Sequence, residues 1–459
     1  MGLGILAFLH AQFPLFIYVG CFIVCIYSLT KSNIPGHYFL VFILPFTYVL
    51  EKAHKYPFGN QILDVIFISL ILSIFIHNKS TKKTPNIVPI LLHCSIVVIS
   101  FVLGLFYEGP YFKDVYSHMA RAEVLKNYLL MPVLYWITFR IFSARDDKEI
   151  KKMTFFILFI LLIVDWRFWN SFRWMSVGAH FSYAERLGAF GYLGANHLAA
   201  FVAEYVAIAV SLFLFYPSWR LRLFLAVVIC ASTYVVLFTY SRAAYLALAI
   251  VIPFFLLFKR KLLLPVILVA LISGGAMITF LPSSVVERVA MTKTEDGEIE
   301  SSAASRLELW RQGQELFVKN PILGIGYHMV PSYINVHGLR NLHNYIFQVL
   351  VETGIVGFSF FIYLLYTAFR SGWKLFKLSS DFFYRGLGLG FCGCIIVSFI
   401  CNLFGDRWSF IQMQGYWWVF WAICDSKIYG SSTFRVDWSP PLTPNPLETD
   451  DHPNTTTAA

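Results

Sequence analysis

Runs of apolar residues about one bilayer crossing long dominate this chain, and that feature decides its class. A helix of roughly 20 apolar residues spans the hydrocarbon core, where no water is available and the backbone must satisfy its own N–H and C=O groups. Such runs lie near residues 12–29, 36–50, 61–76, 87–106, 124–142, 153–168, 196–215, 222–238, 243–258, 262–281, 344–369, 385–404 and 409–424. They predict an all-α, polytopic transmembrane bundle of about 12–13 spans, with one or two of the runs re-entrant or merged. Composition agrees: 58% of the 459 residues are hydrophobic and only 14% are charged, with a mean hydropathy of +0.65. A soluble domain carries close to twice that share of charge. Met1 leads into a segment too little charged for a cleavable signal peptide, so the first span is expected to stay as an anchor.

The expected organisation is residues 1–281 as ten spans with short loops, 282–342 as one long loop, 343–425 as the last spans, and 426–459 as a disordered tail rich in Ser, Thr, Pro and Asp. All eight cysteines fall inside or at the ends of apolar runs, which argues against a disulfide scaffold or a zinc site. No metal, cofactor or nucleic acid is expected.

Lysine and arginine concentrate in "HNKSTKKTPN", "SARDDKEIKK", "YPSWRLR", "KRK" and "RSGWKLFKLSSDFFYR", which are alternate loops and therefore face inward. The segments 107–123, 169–195, the "TYSR" turn, 282–342 and "GDRWS" then face outward. Arginine outweighs lysine in these outward loops and lysine outweighs arginine in the inward ones, a difference that the inward bias of positive charge does not explain. The planar guanidinium makes bidentate bonds to phosphate that lysine cannot, so outward arginines point to an anionic, phosphate-bearing substrate. Each single arginine also has a plainer role open to it, snorkelling to a headgroup or pairing with a carboxylate.

Three short patterns carry the chemistry. His343 and Asn344 open a span, with Gly354 and Gly357 further along it; on a continuous helix His343 and Gly354 share one stripe, about 16 Å apart. A neutral imidazole at the outer mouth accepts a proton from a hydroxyl, and the glycines let a neighbouring helix approach. Glu352 falls on the other side of that helix and is not expected to partner His343. In "YSRAAYL", Arg242 stands at the outer end of a span one turn before Leu246. In "SRLELW", Arg306 precedes Trp310 by four residues and Arg311 follows it. Ser305 with Glu308 has the spacing of a capping box, and Leu307, Trp310, Leu316 and Phe317 suit an amphipathic helix lying on the membrane.

In this order, Arg-x3-Leu, Ser-Arg-x3-Trp, "NPILGIGY" and His-Asn-x9-Gly-x-x-Gly, the chain resembles the O-antigen ligase and O-antigen polymerase superfamily of bacterial inner-membrane glycosyltransferases. Upstream, "ERLGAFGYLGANHLAAF" is similar to that family's Arg-x-Gly-x-Phe-Gly-x-x-Asn segment, with Ala189 and "LGAN" as departures. The resemblance implies an undecaprenyl-diphosphate-linked glycan as donor and an acceptor hydroxyl at the periplasmic face, lipid A-core for a ligase or another lipid-linked repeat unit for a polymerase. With such a donor and acceptor, His343 is the expected general base, and Arg242, Arg306, Arg186, Arg311 and Asn344 are the expected groups binding diphosphate or glycan. No Asp-x-Asp occurs in the chain, so charge on the leaving diphosphate falls to arginine. A lipid-linked-oligosaccharide flippase shares the fold and the basic cavity. It also needs polar groups through the membrane, and among the spans mainly Asp64 and Glu204 supply charge in mid-run.

Overall fold

The computed structural model describes residues 2–50, 53–77, 82–115, 117–171, 193–259, 261, 283–290 and 301–430. Its main helices are α1 Gly2–Thr30, α2 Asn33–Ile43, α3 Ile62–His77, α4 Ile87–Leu103, α5 His118–Phe142, α6 Asp147–Ser171, α7 Ala195–Phe215, α8 Trp219–Phe238, α9 Arg242–Leu256, α10 Ser283–Ala290, α11 Ser301–Lys319, α12 Val330–Tyr333, α13 Tyr345–Leu378, α14 Phe382–Asn402 and α15 Ile411–Gly430. Twelve of the thirteen apolar runs are helices at their expected places. The run at 262–281, the segment holding Arg186, and the tail after 430 lie outside the described residues. Eight of the described helices are long and apolar enough to cross a membrane, and α4 and α9 are shorter apolar helices, so the chain is a multi-pass all-α membrane protein. Helix α13 runs past 369 to Leu378, because Arg370, Lys374 and Lys377 recur along one helical face and a helix leaving the bilayer needs no apolar residues to continue.

Helices α7 and α14 form the centre: 83% and 78% of their apolar windows are buried, against 17% for α1. Their sequences explain the close fit, since α7 is rich in alanine and α14 reads "GLGLGFCGC". A Cβ on Gly390 would stand 2.9 Å from the Cα of Ile208, and one on Gly386 would stand 3.1 Å from the Cα of Leu212. Lipid tails are as apolar as leucine, so this close backbone packing, rather than escape from water, holds the pair together.

Among the described residues, the carboxylates inside the spans each have a polar partner. Glu204 accepts the Gln414 amide at 3.1 Å, Asp165 accepts the Ser232 hydroxyl at 2.7 Å, and Asp64 pairs with Lys126 at 2.6 Å. Asp165 and Glu352 thus add to the two mid-run charges evident in the sequence; both oxygens of Glu352 accept hydrogen bonds, whereas Asp165 uses only its Oδ2.

Helix α13 is not continuous. At Gly354 the backbone takes φ +64° and ψ −171°, and the connector "NPILGIG" is spliced into the break. Ile325 and Gly326 donate their N–H groups to the carbonyls of Val351 and Glu352 at 3.1 and 3.0 Å, while Ile355 and Val356 donate to Pro321 and Ile322 at 2.9 and 3.3 Å. The four backbone groups freed by the break are therefore satisfied by the connector. This corrects the reading of Gly354 as a packing glycine on an unbroken stripe with His343. Glu352 does turn away from His343: its carboxylate accepts the N–H groups of His328 at 2.9 Å and Val330 at 3.3 Å, and the Gln348 amide at 3.1 Å.

The connector and α11 carry a small core of their own, with Leu309, Ile325, Met329, Val330, Leu342 and Val351 buried together and Trp310, Leu316 and Phe317 packed on it. Helix α11 thus packs on protein and not simply on the membrane, and Leu307 is not part of its packed face, being 53% exposed. Ser305 lies inside α11, which already starts at Ser301, so the expected capping box does not form there.

Candidate functional site

Segments far apart in sequence converge at one end of the bundle: 193–197, the start of α9, α10, α11, 341–343 and the α14–α15 turn. All belong to loops expected to face outward. Residues of the expected inward loops, among them Lys82, Arg145, Asp147 and Lys427, line a separate cavity. The alternation of loop charge is reproduced as two groups of loops that meet in different places.

Short-range chemistry positions each functional side chain. Asn341 accepts the backbone N–H of His343 through Oδ1 at 2.7 Å, and Asn344 accepts that of Phe347 at 3.0 Å as the N-cap of α13. His343 itself sits between them with φ +50°. From the other side the Trp310 indole donates to the carbonyl of Leu342 at 2.9 Å. Arg306 lies one helical turn before Trp310, so the anchoring of Trp310 beside His343 carries Arg306 to the same place. That is the physical content of the Ser-Arg-x3-Trp spacing. Likewise Arg242 and Leu246, one turn apart at the start of α9, line one cavity together, and the preceding Tyr240 (φ +54°) is tied to α10 through the Ser284 hydroxyl at 3.0 Å.

Two adjoining cavities result. The larger, about 650 Å³, has His343, His197, Arg306, Asn341, Asp406 and Arg407 on its walls. The smaller, about 300 Å³, holds Arg242 and Arg288 and shares Asn196, Arg306, Phe404 and Arg407 with the first. Four arginines therefore surround the joined space, with His343 at one side. Burial, then Arg306 and Arg407, lower the pKa of His343 below the ordinary imidazole value, so the ring is neutral at pH 7. Burial raises the Asp406 carboxyl, which accepts the Ser409 N–H at 3.2 Å and hydroxyl at 2.9 Å, while His197 donates through Nε2 to the Asp406 carbonyl at 3.1 Å.

Arg407 is the notable addition. It is 2% exposed and stands on the wall common to both cavities. Its Nη1 donates to the Cys401 carbonyl at 2.5 Å, its Nε has no partner, and it makes no ion pair among the described residues. The Asn402 side chain fixes the turn by accepting the N–H groups of Arg407 at 2.9 Å and Trp408 at 3.1 Å. A buried guanidinium without a carboxylate is costly unless an anion completes it.

Of the residues singled out in the sequence, His343, Arg306 and Arg242 meet here. Arg311 does not: it is exposed and held by Glu308 at 2.7 Å and by Glu315 on its own helix. Asn344 lines neither cavity, and its Oδ1 is taken by the cap. Arg186 lies outside the described residues. Arg288, Arg407 and His197 were not singled out. Arg407 stood in "GDRWS", an outward loop by the charge argument, so only its isolation from any pattern hid it.

Residues 227–362 match the family described as O-Antigen ligase. The match runs from within α8 into α13 and so takes in Arg242, Arg288, Arg306 and His343, but neither His197 nor Arg407. No curated protein matches the chain.

Proposed function

From a chain that belongs, through residues 227–362, to the O-antigen ligase and polymerase superfamily, we propose an inverting glycosyltransferase that moves a glycan from an undecaprenyl-diphosphate carrier to an acceptor hydroxyl. The observation that carries this reading is a neutral His343 sharing a cavity wall with Arg306 and Arg407, beside a second cavity holding Arg242 and Arg288. The arginines bind the diphosphate. His343 takes the proton of the acceptor hydroxyl as its oxygen bonds to the anomeric carbon. The bond from that carbon to the diphosphate breaks, its electron pair leaves with the phosphate oxygen, and the guanidinium groups neutralise the charge that develops there. Attack opposite the leaving group inverts the anomeric centre.

The acceptor assigned first is lipid A-core, making the protein an O-antigen ligase of the bacterial inner membrane with its site at the periplasmic face. The Arg-x3-Leu and His-x10-Gly spacings support that choice over a polymerase, which performs the same chemistry on a second lipid-linked repeat unit. The test is purified protein in nanodiscs with lipid-linked glycan and each acceptor in turn, in EDTA. Product on lipid A-core is expected, product on the repeat unit alone reassigns the acceptor, and product on neither overturns the reading. In the same assay Arg311→Ala transfers at the wild-type rate, because Arg311 is engaged on the outer face of α11; a loss of rate there would place the substrate on that face instead.

A further inference from the structure

A third cavity, of about 470 Å³, adjoins the one that holds His343 and shares Asn341, Asp406 and Phe410 with it. Its character is different. None of the four clustered arginines reaches it, and its walls bring together the carboxamides of Asn127, Asn341 and Gln412, the Asp406 carboxylate and the Phe410 ring. The cation on its wall, Arg340, lies over the Tyr111 ring at 5.6 Å. The Asn127 amide, on α5, has no hydrogen-bond partner among the described residues, and Asn341 uses only its Oδ1, on the His343 backbone, so its NH2 group remains available. Carboxamides and a carboxylate offer donors and acceptors side by side, which suits hydroxyl groups that both give and take hydrogen bonds, and an apolar ring suits the C–H face of a pyranose.

We propose that this cavity is the acceptor subsite, holding the sugar whose hydroxyl is presented to His343. The inference rests on the glycan-transfer reading and adds a division of labour to it: cationic cavities for the diphosphate of the donor, an amide-rich cavity for the acceptor sugar. Asn341 and Asp406 form the wall between the two, so a sugar seated there has its edge at the His343 side, and Asn341 ties the subsite to the backbone of His343 itself. The two substrates thus approach the imidazole from different cavities, as in-line displacement requires.

The test uses the full chain in nanodiscs, with undecaprenyl-diphosphate-linked glycan as donor and, as acceptor, whichever of lipid A-core and the lipid-linked repeat unit the wild type extends. Asn127→Leu and Gln412→Leu each remove a hydrogen-bonding amide at nearly constant volume. Each is expected to raise the acceptor KM by roughly tenfold, the worth of a neutral hydrogen bond left unmade, with the donor KM unchanged. An unaltered donor KM also shows that the variant is folded; should a leucine variant aggregate, Asn127→Ser removes the amide with less demand on packing and is read in the same way. An acceptor KM unmoved in these variants, or a donor KM that rises in parallel, overturns the assignment. Failure of the underlying reading looks different, because the wild type then transfers to neither acceptor.

Discussion

Replacing His343 by alanine lowers the turnover for glycan transfer by about 10²–10⁴-fold, the range expected when a positioned general base is removed, while the KM for the lipid-linked donor changes little. The backbone on either side of the imidazole is held by two asparagine turns and the Trp310 indole, none of which needs the ring, so the variant keeps its cavity and its arginines. The pH profile gives a second readout. A base works only when unprotonated, so kcat/KM falls as pH drops through the His343 pKa, and this acid limb lies below the ordinary value of 6.5 because burial, Arg306 and Arg407 disfavour the imidazolium. In Arg306→Gln one of those charges is gone, and the acid limb moves up toward 6.5. Normal turnover in His343→Ala, alongside loss of transfer in Arg242→Ala and Arg306→Ala, would show that the base is another group.

Gly354→Val is expected to be at least as damaging, although Gly354 lines none of the cavities. With φ +64° and ψ −171° the backbone is in a region that only glycine enters readily, and a Cβ there would overlap the carbonyl of Ile322. The strain alone costs about 1–3 kcal/mol. The overlap also pushes apart the splice in which Ile325, Gly326, Ile355 and Val356 all donate across to the other chain segment, each such bond worth roughly 1 kcal/mol. Displacing the connector disturbs the small core on which α11 rests, and α11 carries both Arg306 and the Trp310 that pins the residue before His343. A large fall in the thermal midpoint, or failure to fold, together with loss of transfer, is the expected outcome. Gly338→Ala is the control, since φ is +83° but nothing stands within 4 Å of its Cβ; it should cost only the left-handed conformation, about 1–2 kcal/mol. A Gly354→Val protein with wild-type midpoint and rate would mean that the splice is dispensable.

The two outcomes separate what is chemical from what is architectural in the span that begins at His343. In the sequence the histidine and the two glycines read as one pattern on one helical stripe. In the structure they belong to different tasks: His343 is placed by local asparagine turns, and Gly354 marks where another segment enters the helix. A side chain at Gly357, three residues on, would first meet the Thr353 side chain of the same helix.

Membrane class, helical fold and the places of the spans follow from the sequence by itself, because hydrocarbon leaves the backbone no option but internal hydrogen bonding and sets the length of each crossing. The grouping of loops into two sets follows too, from the distribution of lysine and arginine, and short-range spacing such as Arg306 to Trp310 survives folding because it depends only on the helical repeat. What the sequence could not decide is which distant groups share a wall. Arg407 reaches Arg306 and His343 only because α14 turns sharply after Asn402. Arg311, five residues from Arg306, falls on the opposite face and is spent on its own helix. Asn344 turns inward to cap, and Leu309 instead of Leu307 meets the core. The wall shared by Arg306, His343 and Arg407 and the burial of Leu309 rest on contacts between segments tens of residues apart or more, and no local rule of period or propensity carries that information. The cavities, and with them the division between a cationic side and an amide-rich side, belong to the tertiary structure.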